Sequence, residues 1–291
     1  MRSSLPITGT CIALALCGTC QTTAQEHAAP RGVQVASSAP TDSTIAQRFA
    51  PPTGFVRSIE GPSGFGAFLR ELPLEPVGTN VQLYDGRLKG RQDVHAAVIA
   101  MSVGTKDLQQ CADAVIRLRA EYLFAQKRYS DLHFDFTSGF RAEFTRWAKG
   151  DRIQVSGNTC LWKGRGPSGY AHDNLMSFLQ QVFTYAGTLS LQREMDRSTP
   201  KDLGAADLRT GDVFIRGGSP GHAVIVVDVA HHADGRTAFL LAQSYMPAQQ
   251  IHVLKNLRHP KLGAWFIFEG DAELTTPEWT FAWGDRRRWA D

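Results

Sequence analysis

Cysteine is scarce in this chain, five residues in 291, too few for a disulfide scaffold. No apolar run approaches the ~18 uninterrupted residues of a membrane helix, so no transmembrane segment is expected. Nor does any internal repeat of roughly 20–50 residues occur. Charge of one sign is also lacking. Lys plus Arg number 31 against 28 Asp plus Glu, a net +3, which gives no reason to expect nucleic acid or an anionic membrane as partner. Gly217-Gly218-Ser219-Pro220-Gly221 lacks the Gly-Lys-Ser/Thr ending and the following helix of a phosphate loop. His172-Asp173 has no companion pair at metal-ligand spacing. No metal or other cofactor is expected. What the chain does have is globular composition: 43% hydrophobic, 20% charged, with 27 Gly and 14 Pro. That sets aside disordered, collagen-like and coiled-coil classes.

The positions of the five cysteines say more than their number. Cys11, Cys17 and Cys20 follow a short positive start at Arg2, around the apolar run from Ile12 to Cys17. Thr22 and Ala24 stand at the −3 and −1 positions of a cleavage site, the layout of a secretory signal. Residues 1–24 are therefore expected to be a signal peptide, with lipid anchoring through Cys17 or Cys20 as the alternative. Leu16 and Thr19 precede those two cysteines, where lipoprotein processing wants small residues. Residues 25–50 are rich in Ala, Ser, Thr, Gln and Pro without hydrophobic periodicity, and read as a flexible leader. Residues 51–291 then form one α+β domain. The expectation is an exported protein, periplasmic or secreted, that keeps only Cys111 and Cys160.

Strands are expected at Asn80–Tyr84 and Val94–Met101, and a helix from Asp107, where Asp107 and Gln110 have capping-box spacing. Its apolar stripe runs Cys111, Ala114, Val115, Leu118, Tyr122, with Arg117 and Arg119 off it. A second helix is expected over Asn174–Tyr185. Later, Asp212–Arg216, His222–Val229, Phe239–Ser244 and Ile251–Leu254 read as strands, with a type II turn at Ser219-Pro220-Gly221 and a hairpin at Asp234-Gly235. Helices first and consecutive antiparallel strands later argue for α+β architecture.

Cys111 in the first turn of a helix and His222 at the start of an apolar strand are the residues that can carry chemistry. Helix N-terminal N–H groups favour a thiolate and can hold an oxyanion. A histidine from an adjacent strand can act as base and then acid, provided a third group fixes its tautomer. Asp228 shares the alternation of His222 but lies roughly 20 Å along the strand at ~3.3 Å per residue. The hairpin instead brings Gln243, Ser244 or Tyr245 opposite His222. Gln243 is chosen because its amide can accept from imidazole Nδ1–H. Two other readings of Cys111 stand beside this one, a disulfide to Cys160 and an inert core thiol.

The order of a helix Cys, Gly211-Asp212-Val213-Phe214-Ile215, Gly221-His222-Ala223-Val224 and a polar residue on the next strand resembles the papain-like superfamily. It looks most like the NlpC/P60 and CHAP type of cell-wall amidases and endopeptidases, over a core of about 105–255. The resemblance implies a Cys nucleophile and a His on an antiparallel sheet. That branch places Asp directly before the Cys; here Gln110 stands there, and Gln109 or Gln110 becomes the candidate oxyanion-hole amide. Asp107-Leu108-Gln109-Gln110-Cys111-Ala112-Asp113-Ala114, Tyr185-Ala186-Gly187-Thr188-Leu189-Ser190-Leu191, Pro220-Gly221-His222-Ala223-Val224 and Ala242-Gln243-Ser244-Tyr245-Met246-Pro247-Ala248-Gln249 are similar to motifs of a bacterial family known as domain of unknown function 4846. That likeness implies an exported bacterial protein and no activity. The expectation is an exported cysteine hydrolase or acyl-transfer enzyme acting on an amide or ester bond, such as a cell-wall peptide. Cys111, His222 and Gln243 are its catalytic residues. A non-catalytic envelope-binding module with a Cys111–Cys160 disulfide is the alternative.

Overall fold

The computed structural model describes residues 44–201, 203–204, 207–268, 270 and 272–290; the expected signal peptide and most of the expected leader lie outside them. The helices are α1 (Ile45–Arg48), α2 (Phe65–Arg70), α3 (Cys111–Ala125), α4 (Phe144–Ala148), α5 (His172–Tyr185) and α6 (Thr188–Asp196). The strands are β1 (Phe55–Arg57), β2 (His95–Val98), β3 (His133–Asp135), β4 (Arg141–Glu143), β5 (Asp151–Ser156), β6 (Thr159–Arg165) and β7 (Val213–Arg216). There follow β8 (His222–His232), β9 (Thr237–Gln243), β10 (His252–Leu254), β11 (Phe266–Phe268), β12 (Glu273–Thr275), β13 (Thr280–Ala282) and β14 (Arg286–Arg287). Folded chain begins before residue 51: Thr44 caps α1, and Ile45 is fully buried.

The main sheet runs β14-β7-β8-β9-β10-β2, with β1 paired to the far end of β8 and β11 to β9. All these pairs are antiparallel. The protein is α+β with an antiparallel sheet. Strand β8 is buried on both faces, which is why it reads as a continuous apolar run. Ala223, Ile225 and Val227 pack with Ala114, Val115 and Leu118 of α3 in one core cluster. Val224, Val226 and Val229 pack with Phe214, Leu274 and Phe281 in the other. The register shifts between Val226 and Asp228, and this bulge swaps the alternation of everything beyond it. Asp228 consequently accepts from Arg57 Nε (2.7 Å) and Arg70 Nε (2.6 Å).

Helix α3 starts later than expected. Gln110, not Asp107, is the cap, and its N–H donates to Asp113 Oδ2 at 3.1 Å. Asp107 Oδ1 instead accepts from Gln110 Nε2 (3.0 Å) and from Ala248 N–H (2.7 Å), tying this loop to the chain after β9. The helix is buried almost all round. Arg117, read as lying off the apolar stripe, is buried and pairs with Glu121 at 2.7 Å. The strand expected at Asn80–Tyr84 is reduced to isolated bridges, Gln82 to Leu88 and Leu83 to Gln249. No helix among the described residues is long and apolar enough to cross a membrane.

Candidate functional site

Cys111 is the first residue of α3, so its thiol lies where helix N–H groups are free. The backbone amides of Ala112, Ala223 and Cys111 itself favour thiolate. Burial first, and the neighbouring Asp113 carboxyl second, outweigh them and push the thiol up to about 11. Ala223 belongs to β8, the residue after His222, so the strand carrying the histidine also reaches the sulfur.

His222 opens β8 and is 1% exposed. Its Nε2 lies 2.8 Å from Gln243 Oε1. The contact runs through Nε2, where the sequence reading had Nδ1. The β8–β9 register places the partner. Ile225 faces Ala242, so continuing that register puts Gln243 beside Val224, on the face of His222 and diagonal to it. Burial lowers the imidazole to about 4, against the Gln243 hydrogen bond, which works the other way. Tyr245, Trp279 and Phe281 surround the ring at centroid distances of 4.7, 5.5 and 6.0 Å.

Cys111 and His222 line one cavity of about 600 Å³, walled by Leu108, Phe183, Leu189, Met246 and Trp279. A second cavity of about 640 Å³, beside Tyr122 and Trp289, contains neither residue. The loop from β7 to β8 lines the first cavity. A Cβ on Gly221 would meet Gly218 O and Thr188 Oγ1 at 2.5 Å, so this position needs glycine for space. The positive φ belongs to Gly218, at 130°, and the expected type II turn with Gly221 at its third position is not formed.

The two oxyanion candidates part company. Gln109 is 1% exposed, its Oε1 accepts from Arg117 Nη1 at 3.0 Å, and it does not line the cavity. Gln110 does line it, but its Nε2 is engaged by Asp107. The groups that favour thiolate at Cys111 are backbone amides. Cys111 and Cys160 are both free, so the disulfide weighed for them is not formed. Cys160 sits on β6, its sulfur 3.4 Å from Ser138 Oγ.

Glu278, Lys89 and Trp279 are site residues that sequence reasoning missed, whereas Tyr245, weighed there as a residue opposite His222, packs on its ring. Gln243 Nε2 donates to Glu278 Oε2 at 2.6 Å, and Lys89 pairs with Glu278 Oε1 at 2.7 Å. Trp279 lies on the C-terminal segment that ends in β14. That segment covers the sheet edge, since β14 pairs with β7, and its Trp279 lines the cavity. Nothing in a single sequence points from Glu278 to Gln243. No group of three or more His, Cys, Asp or Glu that could hold a metal occurs among the described residues.

No curated protein matches the chain, and no solved structure does. One family model matches, over residues 45–288, a span that contains α3, the β7–β8 loop, β9 and the β12–β13 turn that build the cavity. The chain belongs to the family described as domain of unknown function (4846).

Proposed function

We propose that this protein is a cysteine hydrolase or acyl-transfer enzyme. The observation that carries the reading is the shared cavity: a helix-N-terminal Cys111 and a His222 whose ring is held by Gln243. With Nε2–H given to Gln243, Nδ1 is left as an acceptor. In the reaction, Cys111 Sγ attacks an amide or ester carbonyl carbon and its proton passes to His222 Nδ1. The carbonyl oxygen takes the electron pair and is met by N–H groups at the start of α3. Collapse expels the amine or alcohol, which receives the proton from His222. Water, deprotonated by the same nitrogen, then cleaves the thioester and restores the thiol; an amine or alcohol in its place gives transfer.

The sequential order of helix Cys, strand His and a polar residue on the next strand is that of papain-like hydrolases of the NlpC/P60 and CHAP type, which supports the reading. The secretory pattern of residues 1–24 supports an envelope substrate such as a peptidoglycan peptide. The thiol raised to about 11 favours the second reading, a non-catalytic envelope-binding module. p-Nitrophenyl acetate separates the two by intact mass. The enzyme reading expects one acetyl group on Cys111, none on that site in Cys111→Ala, and slower acetylation in His222→Ala. Acetylation of Cys111 at an equal rate in His222→Ala, or none in the wild type, sinks it.

A further inference from the structure

A glutamine amide can meet a histidine in two ways. With Oε1 forward it accepts from the ring; turned end for end it donates to the ring and selects the opposite tautomer. The far side of the Gln243 amide decides between them. Gln243 Nε2 lies 2.6 Å from Glu278 Oε2 and 3.4 Å from His252 Nε2. A carboxylate oxygen only accepts. His252 Nδ1 lies 2.9 Å from the Gln250 carbonyl oxygen, so Nδ1 carries the hydrogen and Nε2 accepts as well. The amide nitrogen therefore faces two acceptors, and Oε1 is left for His222.

Glu278 reaches this position from the turn between β12 and β13, where Thr276 Oγ1 accepts from Trp279 N–H at 3.0 Å. Lys89, from a distant stretch of chain, pairs with its other oxygen at 2.7 Å. The two side chains are only 7% and 11% exposed. A buried pair of this kind is a costly way to gain stability, because desolvation cancels much of the attraction. Its best-placed effect is directional.

We propose that Lys89 and Glu278 are positioning residues: they fix the Gln243 amide and thereby hold His222 as the Nε2–H tautomer, with Nδ1 free as the base. Neither touches the reacting atoms. The inference rests on the cysteine chemistry proposed above, but its primary readout does not.

Long-range ¹H–¹⁵N correlation on ¹⁵N-histidine-labelled protein reads the tautomer directly, with His222→Ala assigning the signals. Wild-type His222 is expected with Nε2 protonated and Nδ1 bare; a protonated Nδ1 at neutral pH overturns the proposal without any variant. In Lys89→Met/Glu278→Leu both charges leave together, so no buried ion is stranded. His222 is then expected to average between tautomers, and alkylation of Cys111 by iodoacetamide to slow by about tenfold or more. Alkylation of Cys160, which does not line the cavity, serves as the control and is expected to hold its rate. A fixed Nε2–H tautomer with unchanged Cys111 alkylation in that variant overturns the proposal. If His222→Ala alkylates at the wild-type rate, the cysteine reading fails while the tautomer result still stands or falls by itself.

Discussion

Burial moves Cys111 and His222 apart on the pH axis, the thiol up to about 11 and the imidazole down to about 4. Over the range between, both are uncharged, and the proton moves only as the carbonyl is attacked. The pair therefore rests as thiol and imidazole, not as an ion pair. This has a signature in rate. An unassisted thiol reacts through its thiolate, so its acylation climbs about tenfold per pH unit below its pKa. A thiol deprotonated by His222 does not, because the base is already neutral. We expect acetylation of Cys111 by p-nitrophenyl acetate to be level across the neutral range. It is lost only as the pH falls through about 4, where His222 takes a proton and can no longer accept one. His222→Ala is expected to restore the tenfold-per-unit climb. A wild-type profile with that climb would remove His222 from the chemistry.

Strand β8 carries two unlike tasks on one run of eleven residues. Its first residue serves the cavity; past the bulge at Val226 and Asp228 its polar side chain serves the fold. Asp228 is fully buried and its oxygens are taken by Arg57 of β1, Arg70 of α2 and the Val229 N–H. Arg70 donates further to Ser58 O at 2.7 Å, so one carboxylate joins strand, helix and the chain between them. Removing it leaves the buried Arg70 guanidinium to the more distant Glu60 carboxylate, at 3.5 Å. Asp228→Ala is expected to cost about 3–5 kcal/mol, read as a lower urea midpoint at unchanged m-value. A loss below about 1 kcal/mol would mean that the pair is solvated like a surface ion pair. The same bulge limits what alternation can tell. Counting by twos put Asp228 on the face of His222, and the inserted residue puts it with the arginines.

Legibility across the molecule follows contact range. Apolar periodicity marks α3, α5 and β7 to β10, because burial along one element repeats in the chain itself. Cys111, His222 and Gln243 were within reach because they sit on such elements, two of them joined by a hairpin with a visible Asp234-Gly235 turn. Glu278 and Lys89 were not, since the pairing that matters spans 189 positions and leaves no local pattern. The β12–β13 pair, which completes both the site and the second core cluster, was likewise out of reach. Phe281 is fully buried there against Phe214 and stacks on His222. Arg288 grips the 1% exposed Asp212 through Nε and Nη2, at 2.6 and 2.8 Å. Removing residues 272–291 thus strips an apolar face of β7 and β8 and leaves Asp212 buried without Arg286 or Arg288. The shortened chain is expected to bind 8-anilinonaphthalenesulfonate, to lose near-ultraviolet dichroism while keeping far-ultraviolet signal, and to unfold without a sharp urea transition. Glu278 leaves with the same segment, so His222 should also lose its fixed tautomer. An unchanged urea midpoint and slope would show that the last twenty residues lie on the fold and do not hold it together.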